Sequence, residues 1–334
     1  MRVLAGDIGG TKTLLAVADA DDCGVRVHCR HRYDSRAFAG LSTILADFLD
    51  RAARQTPGSV EGACLGVAGP VLGAPGLQHA AITNLPWIVD APEVCRLHGL
   101  PALTLINDFV AVAHGLPALD AKDLAVLQEG EPVPTAPVAV LGAGTGLGMA
   151  LAYWCGGAYG VSPTEGGHIG FAPADARQHA LWQFVHERHG RASLEHLLSG
   201  AGLLEIVTFL VAGRGGSAPG PLGEALASAD PPAAVAAAAL ARSDPLASEA
   251  LDLFVSVYGA AAGDLALLSL PLGGLYLAGG IAPGILPRLR EGGFMAAFLD
   301  KAPMQELLRR IPVRVVLDRE AGLLGAARVA AGVA

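Results

Sequence analysis

The chain has 334 residues, 52% hydrophobic but only 5% aromatic, which is enough apolar mass for two cores and excludes a disordered or fibrous protein. A formal net charge of −8, with no basic run, lacks the electrostatic footprint of a nucleic-acid binder and points to small-molecule partners. Five scattered cysteines, Cys23, Cys29, Cys64, Cys95 and Cys155, with no C-x-x-C spacing, argue for reduced thiols in a cytoplasm over a disulfide frame or a zinc knuckle.

No secretory signal precedes the first apolar run. "RVLAGDIG" and "TLLAVAD" read as strands flanking a glycine turn, and "GVRVHCRHRY" alternates like a third strand of the same meander. A helix from about Leu41 to Arg54 and a strand "GACLGVAG" follow. The strand "ALTLIND" then runs into a helix beginning near Asp108, and the first domain is expected to end soon after Leu116. "PVAVLGAGTGLGMALAY" repeats the opening as strand, glycine turn and strand, a weak internal repeat. Helices dominate from Arg177 to Leu270, interrupted by loops at "GRGGSAPGPLG" and "SADPPAA". "GGLYLAGGIAPGIL" reads as strand, turn and helix start, with Pro283 suited to a first helical turn. "IPVRVVLD" is a last strand. The terminal "AGLLGAARVAAGVA" reads as a helix despite its glycines, returning to the first domain. These elements define an α/β protein with a small domain of residues 1–118 and 318–334 and a large domain of 119–317.

Two uncharged windows, Pro132 to Thr164 and Leu265 to Pro287, are long enough to raise membrane spans. Glycines and prolines punctuate both, so a buried hairpin and a helix–strand junction are the expected structures, and the chain reads as soluble with no membrane partner.

The glycine turns are informative by elimination. "GDIGGTKT" fails the phosphate-loop pattern G-x-x-x-x-G-K-[ST] because Thr11 stands where the second glycine belongs. "GAGTGLG" lacks G-x-G-x-x-G spacing and opens a strand, not the helix a dinucleotide fold needs. Two β-hairpins remain, whose tips offer backbone N–H groups and the hydroxyls of Thr11 and Thr145 to an anion. One such hairpin is more simply a tight turn; a matched pair favours a ligand.

"GDIGGTKT", "GAGTGLG" and "LAGGI" resemble the two phosphate loops and the adenosine loop of sugar kinases sharing the actin/hexokinase/heat-shock-70 ATPase fold. "INDF", "TEGGHIGFAP" and "RASLEHLLSG" narrow the resemblance to bacterial glucokinases, in the right order over nearly the whole chain. It implies a two-domain, ribonuclease-H-like α/β fold with an active-site cleft between the domains, ATP-dependent glucose phosphorylation, and a cytoplasmic homodimer. A kinase for another hexose or amino sugar, or a non-catalytic sugar sensor, stays open on the same fold.

Phosphoryl transfer to a sugar hydroxyl needs a carboxylate at that hydroxyl and donors and a metal around the phosphates. Asp108, at a strand end and a helix start, suits either that base or an N-cap; the resemblance implies the base. Asn107 offers an amide to a sugar hydroxyl. By the resemblance Asn84, Glu165, His168 and Glu195 join Asn107 and Asp108 around glucose, although Asn84 is also a natural turn residue before Pro86 and Glu195 also suits the first turn of a helix. ATP would fall to Asp7, Gly9, Gly10, Thr11, Lys12, Gly144, Thr145, Gly146, Gly279 and Gly280. Asp7 would hold Mg2+ through water, its alternative being an Asx turn.

Lys12, one of three lysines with Lys122 and Lys301, departs from the Asn common in close bacterial glucokinases, and either reaches a phosphate or sits solvated. The repressor-and-kinase group carries a cysteine-rich zinc motif after the matching histidine; no cysteine follows His168, so no structural zinc is expected. His186 and His189 in "HERH" lack the H-E-x-x-H pattern and read as an exposed helix face.

Overall fold

The computed structural model describes residues 1–333, which form two compact units. The first comprises Met1–Asp123, Trp154–Pro163 and the segment from Asp318 on; the second comprises Leu124–Tyr153 and Thr164–Leu317.

In the first unit β1 (Arg2–Ile8), β2 (Lys12–Asp21) and β3 (Gly24–Asp34) form an antiparallel meander. β4 (Gly62–Val67) and β8 (Leu103–Asn107) lie parallel to β1, giving the order β3-β2-β1-β4-β8. Between them β5 (Val71–Leu72), β6 (His79–Ala81) and β7 (Ile88–Asp90) make a small second sheet, for which the sequence carries no period long enough to read.

Side chains alternate across the main sheet, so it is covered on both faces. Leu4, Ile8, Leu15 and Val17 meet Ile44, Leu45 and Phe48 of α1 (Leu41–Gln55), while Val3, Ala5, Ala16 and Ala18 meet Leu323, Ala326 and Ala327 of the closing helix Ala321–Ala331. α2 (Ala91–His98) is capped by the Asp90 side chain and ended by Gly99 in the left-handed region. α3 (Asp108–Gly115) runs from the end of β8 and packs on the closing helix. A Cβ on Gly325 would overlap the carbonyl of Ala111, and one on Gly115 the carbonyl of Ala321. The glycines that weaken this helix locally are what let the two backbones approach.

A six-stranded sheet is ordered β12-β11-β10-β13-β14-β9, with β9, β10, β13, β14 and most of β11 in the second unit. Its strands are β9 (Leu124–Gln128), β10 (Val138–Ala143), β11 (Leu147–Cys155), β12 (Ala158–Thr164), β13 (Gly274–Ala278) and β14 (Val313–Val316). β10 and β11 are antiparallel, and β13 and β14 parallel to β10 and to each other. Apart from the extra edge strand β9, this repeats the strand order of the first sheet, so the internal repeat legible in the glycine hairpins extends to whole sheets. The helices are α4 (Ala176–His189), α5 (Gly200–Ala212), α6 (Pro221–Leu226), α7 (Pro231–Leu240) and α8 (Pro245–Ser269).

α8 is long and apolar enough to cross a membrane, yet its most apolar window is 67% buried inside the protein. Phe254, Val257, Tyr258 and Ala262 lie in the core with Leu141, Leu275 and Phe294. The second uncharged window is the passage from α8 through β13 to the short helix Ile281–Gly284, and the first is the β10–β11 hairpin running on into β12, buried along β10 and the first part of β11 but exposed from Tyr153 through most of β12.

Candidate functional site

In the first unit the site residues gather where β1, β4 and β8 end. Ile8 pairs with Val67 and Val67 with Asn107, so the first glycine hairpin and the β8–α3 junction emerge at the carboxyl edge of adjacent parallel strands. Open α/β sheets present ligands there. The hairpin tip is closed by Gly9 N donating to Lys12 O at 2.9 Å. Ser35, fully buried, braces it: its hydroxyl donates to Gly9 O at 2.8 Å and lies 3.0 Å from Thr13 Oγ1, while its N–H donates to Thr11 O. Nothing in the sequence marks Ser35, because its partners lie more than twenty residues away. A Cβ on Gly10 would come 2.6 Å from Thr83 O and 3.2 Å from the Asn84 Cβ, so the bare glycine admits the 83–84 turn beside the hairpin. Asn84 is exposed, with φ +63°, a conformation asparagine tolerates well. It is a turn residue and a neighbour of the hairpin at once.

Asp7 lies within β1, paired with Leu14 and Gly66, rather than in an Asx turn. Its side chain is about three-quarters covered, and burial raises its carboxyl pKa, with Lys12 pulling the other way. Lys12 Nζ stands 4.0 Å from Asp7 Oδ2 and is 42% exposed; the lysine is thus neither fully solvated nor a full ion-pair partner. A largely covered carboxylate held against its preference for charge is suited to a cation, and Mg2+ takes one or two carboxylates alongside phosphate oxygens and water.

Asn107, not Asp108, caps α3. Its Oδ1 accepts from Phe109 N at 2.9 Å and Val110 N at 3.3 Å, and its Nδ2 donates to Gly69 O at 3.4 Å. Asp108 is the first helical residue, its Oδ1 accepting from Phe109 N at 3.0 Å. The capping role that competed with catalysis at Asp108 therefore belongs to its neighbour, and the Asn107 amide has less capacity left for a sugar than its type alone implies.

In the second unit the tip Gly144–Gly146 is closed by Gly144 N donating to Gly146 O at 2.8 Å. Thr145 at its apex is exposed. Gly279, at φ +82°, lies against the Ala143 carbonyl, and a Cβ on Gly144 would stand 4.0 Å from Gly280 N. The second glycine hairpin and the "LAGGI" turn are thus neighbours, with Gly280 at the head of the short helix Ile281–Gly284.

The glycine-rich turn bearing Glu165 and His168 is sewn to the segment 191–195. Glu195 N donates to Gly167 O, Leu194 N to Ile169 O and Phe171 N to Ala192 O, at 2.9–3.0 Å. Arg191 Nη2 adds a bond to His168 O at 2.9 Å, a contact no sequence signal points to. Gly167 has no room for a Cβ against the Leu147 carbonyl. Glu165 and His168 are exposed, with 4.0 Å between His168 Nε2 and Glu165 Oε2. Glu195 sits in the turn before α5 rather than in a first helical turn; α5 starts at Gly200 and is capped by Ser199. The glutamate is half-buried and accepts from Leu147 N at 2.9 Å. His186 stacks on Trp182 and His189 on His196, all on exposed or half-exposed positions.

Two sheets of matched strand order, each with a glycine hairpin between antiparallel strands, mark the actin-like ATPase fold. A structure of a ROK family glucokinase from Streptomyces griseus, in complex with glucose and AMPPNP, shares that fold at TM-score 0.66 and 23% identity, over 99% of this chain and 100% of that one. A glucokinase structure from an Antarctic psychrotroph superposes at TM-score 0.82, with 30% identity over 99% of each chain. The family model for glucokinase matches residues 4–333, and the glucokinase of Nostoc punctiforme is 41% identical over 98% of each chain. The chain belongs to the glucokinase family.

Proposed function

We propose that the protein transfers the γ-phosphoryl group of ATP to the 6-hydroxyl of glucose, with Asp108 as general base. The observation that carries the assignment of the base is the placement of Asp108 at the carboxyl edge of the first sheet, as the first residue after β8, the strand adjoining the one that borders β1 and its glycine hairpin. Family membership and the ligands of the Streptomyces griseus relative support the donor and acceptor.

Asp108 takes the proton of the 6-hydroxyl as the sugar oxygen bonds to the γ-phosphorus. The bond from that phosphorus to the bridging oxygen breaks, leaving ADP and glucose 6-phosphate. The first unit offers Asn84 and Asn107 to the sugar, and Gly9, Gly10, Thr11 and Lys12 to phosphate oxygens. The second offers Glu165, His168 and Glu195 to sugar hydroxyls, and Gly144, Thr145, Gly146, Gly279 and Gly280 to the nucleotide. Mg2+, held by Asp7 through water, would supply charge neutralisation at the β- and γ-phosphates. The two-domain division at residues 118/119 and 317/318, a cytoplasmic location and a homodimer complete the reading, the last open to sedimentation velocity.

A coupled turnover assay across common hexoses and phosphoryl donors tests the proposal. Glucose with Mg·ATP should give the highest kcat/KM. A higher value for an amino sugar or another hexose would reassign the acceptor, and sugar binding without ADP release would make the protein a sensor.

A further inference from the structure

Glu195 does something in this structure that a sugar ligand need not do. Its Oε2 accepts from the Leu147 N–H at 2.9 Å, and Leu147 is the residue at which β11 leaves the glycine tip. A Cβ on Gly146 would lie 2.5 Å from the same oxygen, so the bare glycine gives the carboxylate access to the hairpin. The turn that carries Glu195 is itself fixed: Glu195 N donates to Gly167 O, and Ser199 Oγ donates to Glu195 O, both at 2.9 Å. Gly200 N reaches the other side of the tip, donating to Gly144 O at 2.9 Å.

A tip built as Gly-Thr-Gly has little intrinsic preference for one conformation. Within itself it has the single bond from Gly144 N to Gly146 O. The anchors from Glu195 and Gly200 are therefore what hold its N–H groups in one arrangement, and the Glu195 bond is charge-assisted, roughly twice as strong as a neutral one. A carboxylate has about four acceptor positions, so Oε2 can hold Leu147 while Oε1 addresses another donor.

We propose that Glu195 is a positioning residue for the second phosphate hairpin, acting on the nucleotide through Leu147 and the tip Gly144–Gly146, in addition to its proposed contact with the sugar. The inference rests on the hairpin being a phosphate loop, as proposed above. A ligand of the sugar alone would have no effect on nucleotide binding when sugar is absent. A positioning residue would.

The test is calorimetric titration of the intact protein with Mg·AMPPNP in sugar-free buffer, for wild type, Glu195→Ala, Glu195→Gln and Thr145→Val. Hydrogen–deuterium exchange over residues 143–148 accompanies it. Losing a bond to a charged acceptor corresponds to roughly a tenfold change, so Glu195→Ala should weaken AMPPNP about tenfold and speed exchange at Leu147. Glu195→Gln retains an acceptor but not its charge, so it should keep about half of the bond and lose only about threefold. If Glu195→Ala does not fold, Glu195→Met fills similar space without an acceptor and carries the same comparison. Wild-type AMPPNP affinity in Glu195→Ala or Glu195→Met, with a loss in Thr145→Val, overturns the positioning role and leaves the phosphate hairpin standing. Equal losses in Glu195→Gln and Glu195→Ala also overturn it. Unchanged affinity in all variants, Thr145→Val included, overturns the phosphate hairpin itself.

Discussion

Asn107 and Asp108 are adjacent, and the structure separates their duties. Because Asn107 caps α3, Asp108→Asn removes a proton acceptor without removing the cap. Turnover should fall roughly a hundredfold or more, while the urea midpoint stays within the range of a neutral surface change, about 0.5 kcal/mol. Asn107→Ala should cost about 1 kcal/mol of stability through the lost cap and raise the sugar KM, with a smaller effect on kcat than Asp108→Asn. Stopped-flow or coupled kinetics beside urea melts read both; equal kinetic loss from both variants would mean the pair acts as one structural unit. The Glu165 and His168 side chains are exposed on a glycine-rich turn whose tertiary ties run through its backbone, so Glu165→Gln and His168→Ala should leave the fold intact. Each should raise the sugar KM far more than the ATP KM, since a site built to hold a hydroxyl discriminates strongly when its partner is lost. Equal rises in both constants would place these side chains outside the acceptor site.

α3 owes its position to the closing helix, through Gly115 and Gly325. Gly325→Val has no space for its side chain against the Ala111 carbonyl, so the helices must separate. Overpacking of this kind costs about 1–3 kcal/mol, and because α3 carries Asp108, kcat should fall with the denaturation midpoint. A variant that loses stability but keeps kcat would show that Asp108 is held by β8 alone. The same helix pair carries a titration. His114 on α3 is pushed down to about 4, by burial first and by the charge of Arg328 second. A histidine depressed below its unfolded value near 6.5 favours folding in its neutral form. Its contribution is complete above about pH 6.5 and is lost as pH falls toward 4, because the unfolded chain binds the proton first. Between pH 7 and pH 5 the loss should be about 2 kcal/mol. A His114→Gln variant should flatten that part of the profile in urea melts. An unchanged slope would assign the acid sensitivity to other groups.

For the molecule as a whole, two sheets of one strand plan each present a glycine hairpin, and the proposed transfer from ATP calls for a divalent cation, because the phosphate chain is highly charged and Mg2+ binds it together with one or two carboxylates, the role proposed for Asp7. EDTA should abolish turnover with ATP, Mg2+ should restore it, and Asp7→Asn should raise the Mg2+ concentration needed for half-maximal rate. Full activity in metal-free buffer would remove the cation from the scheme.

The glycine hairpins, the β8–α3 junction, the helical stretch from 177 to 270 and the return of the last helix were all legible in the sequence. Each is local: a strand period, a run of glycines needing open backbone, or an Asp after an apolar run. The small sheet β5-β6-β7 and strands β9 and β12 were not read, since they are short or half-exposed and draw their order from neighbours. Residue type and position made Asp7 and Asp108 candidates, because few side chains can take a proton or hold a cation, whereas Glu165, His168 and Glu195 were nominated by the resemblance to glucokinases in their motifs. Which of Asn107 and Asp108 caps the helix, that Ser35 braces the first hairpin, that Arg191 ties the His168 turn, and that Glu195 grips Leu147 were decided only by tertiary structure. Those contacts join backbone groups, which every residue carries and no sequence distinguishes, to side chains 23 to 48 positions away in all but the first case. The cap on α3 is local, but two polar residues stand at its start, and the geometry of the strand end alone determines which of them turns back onto the helix.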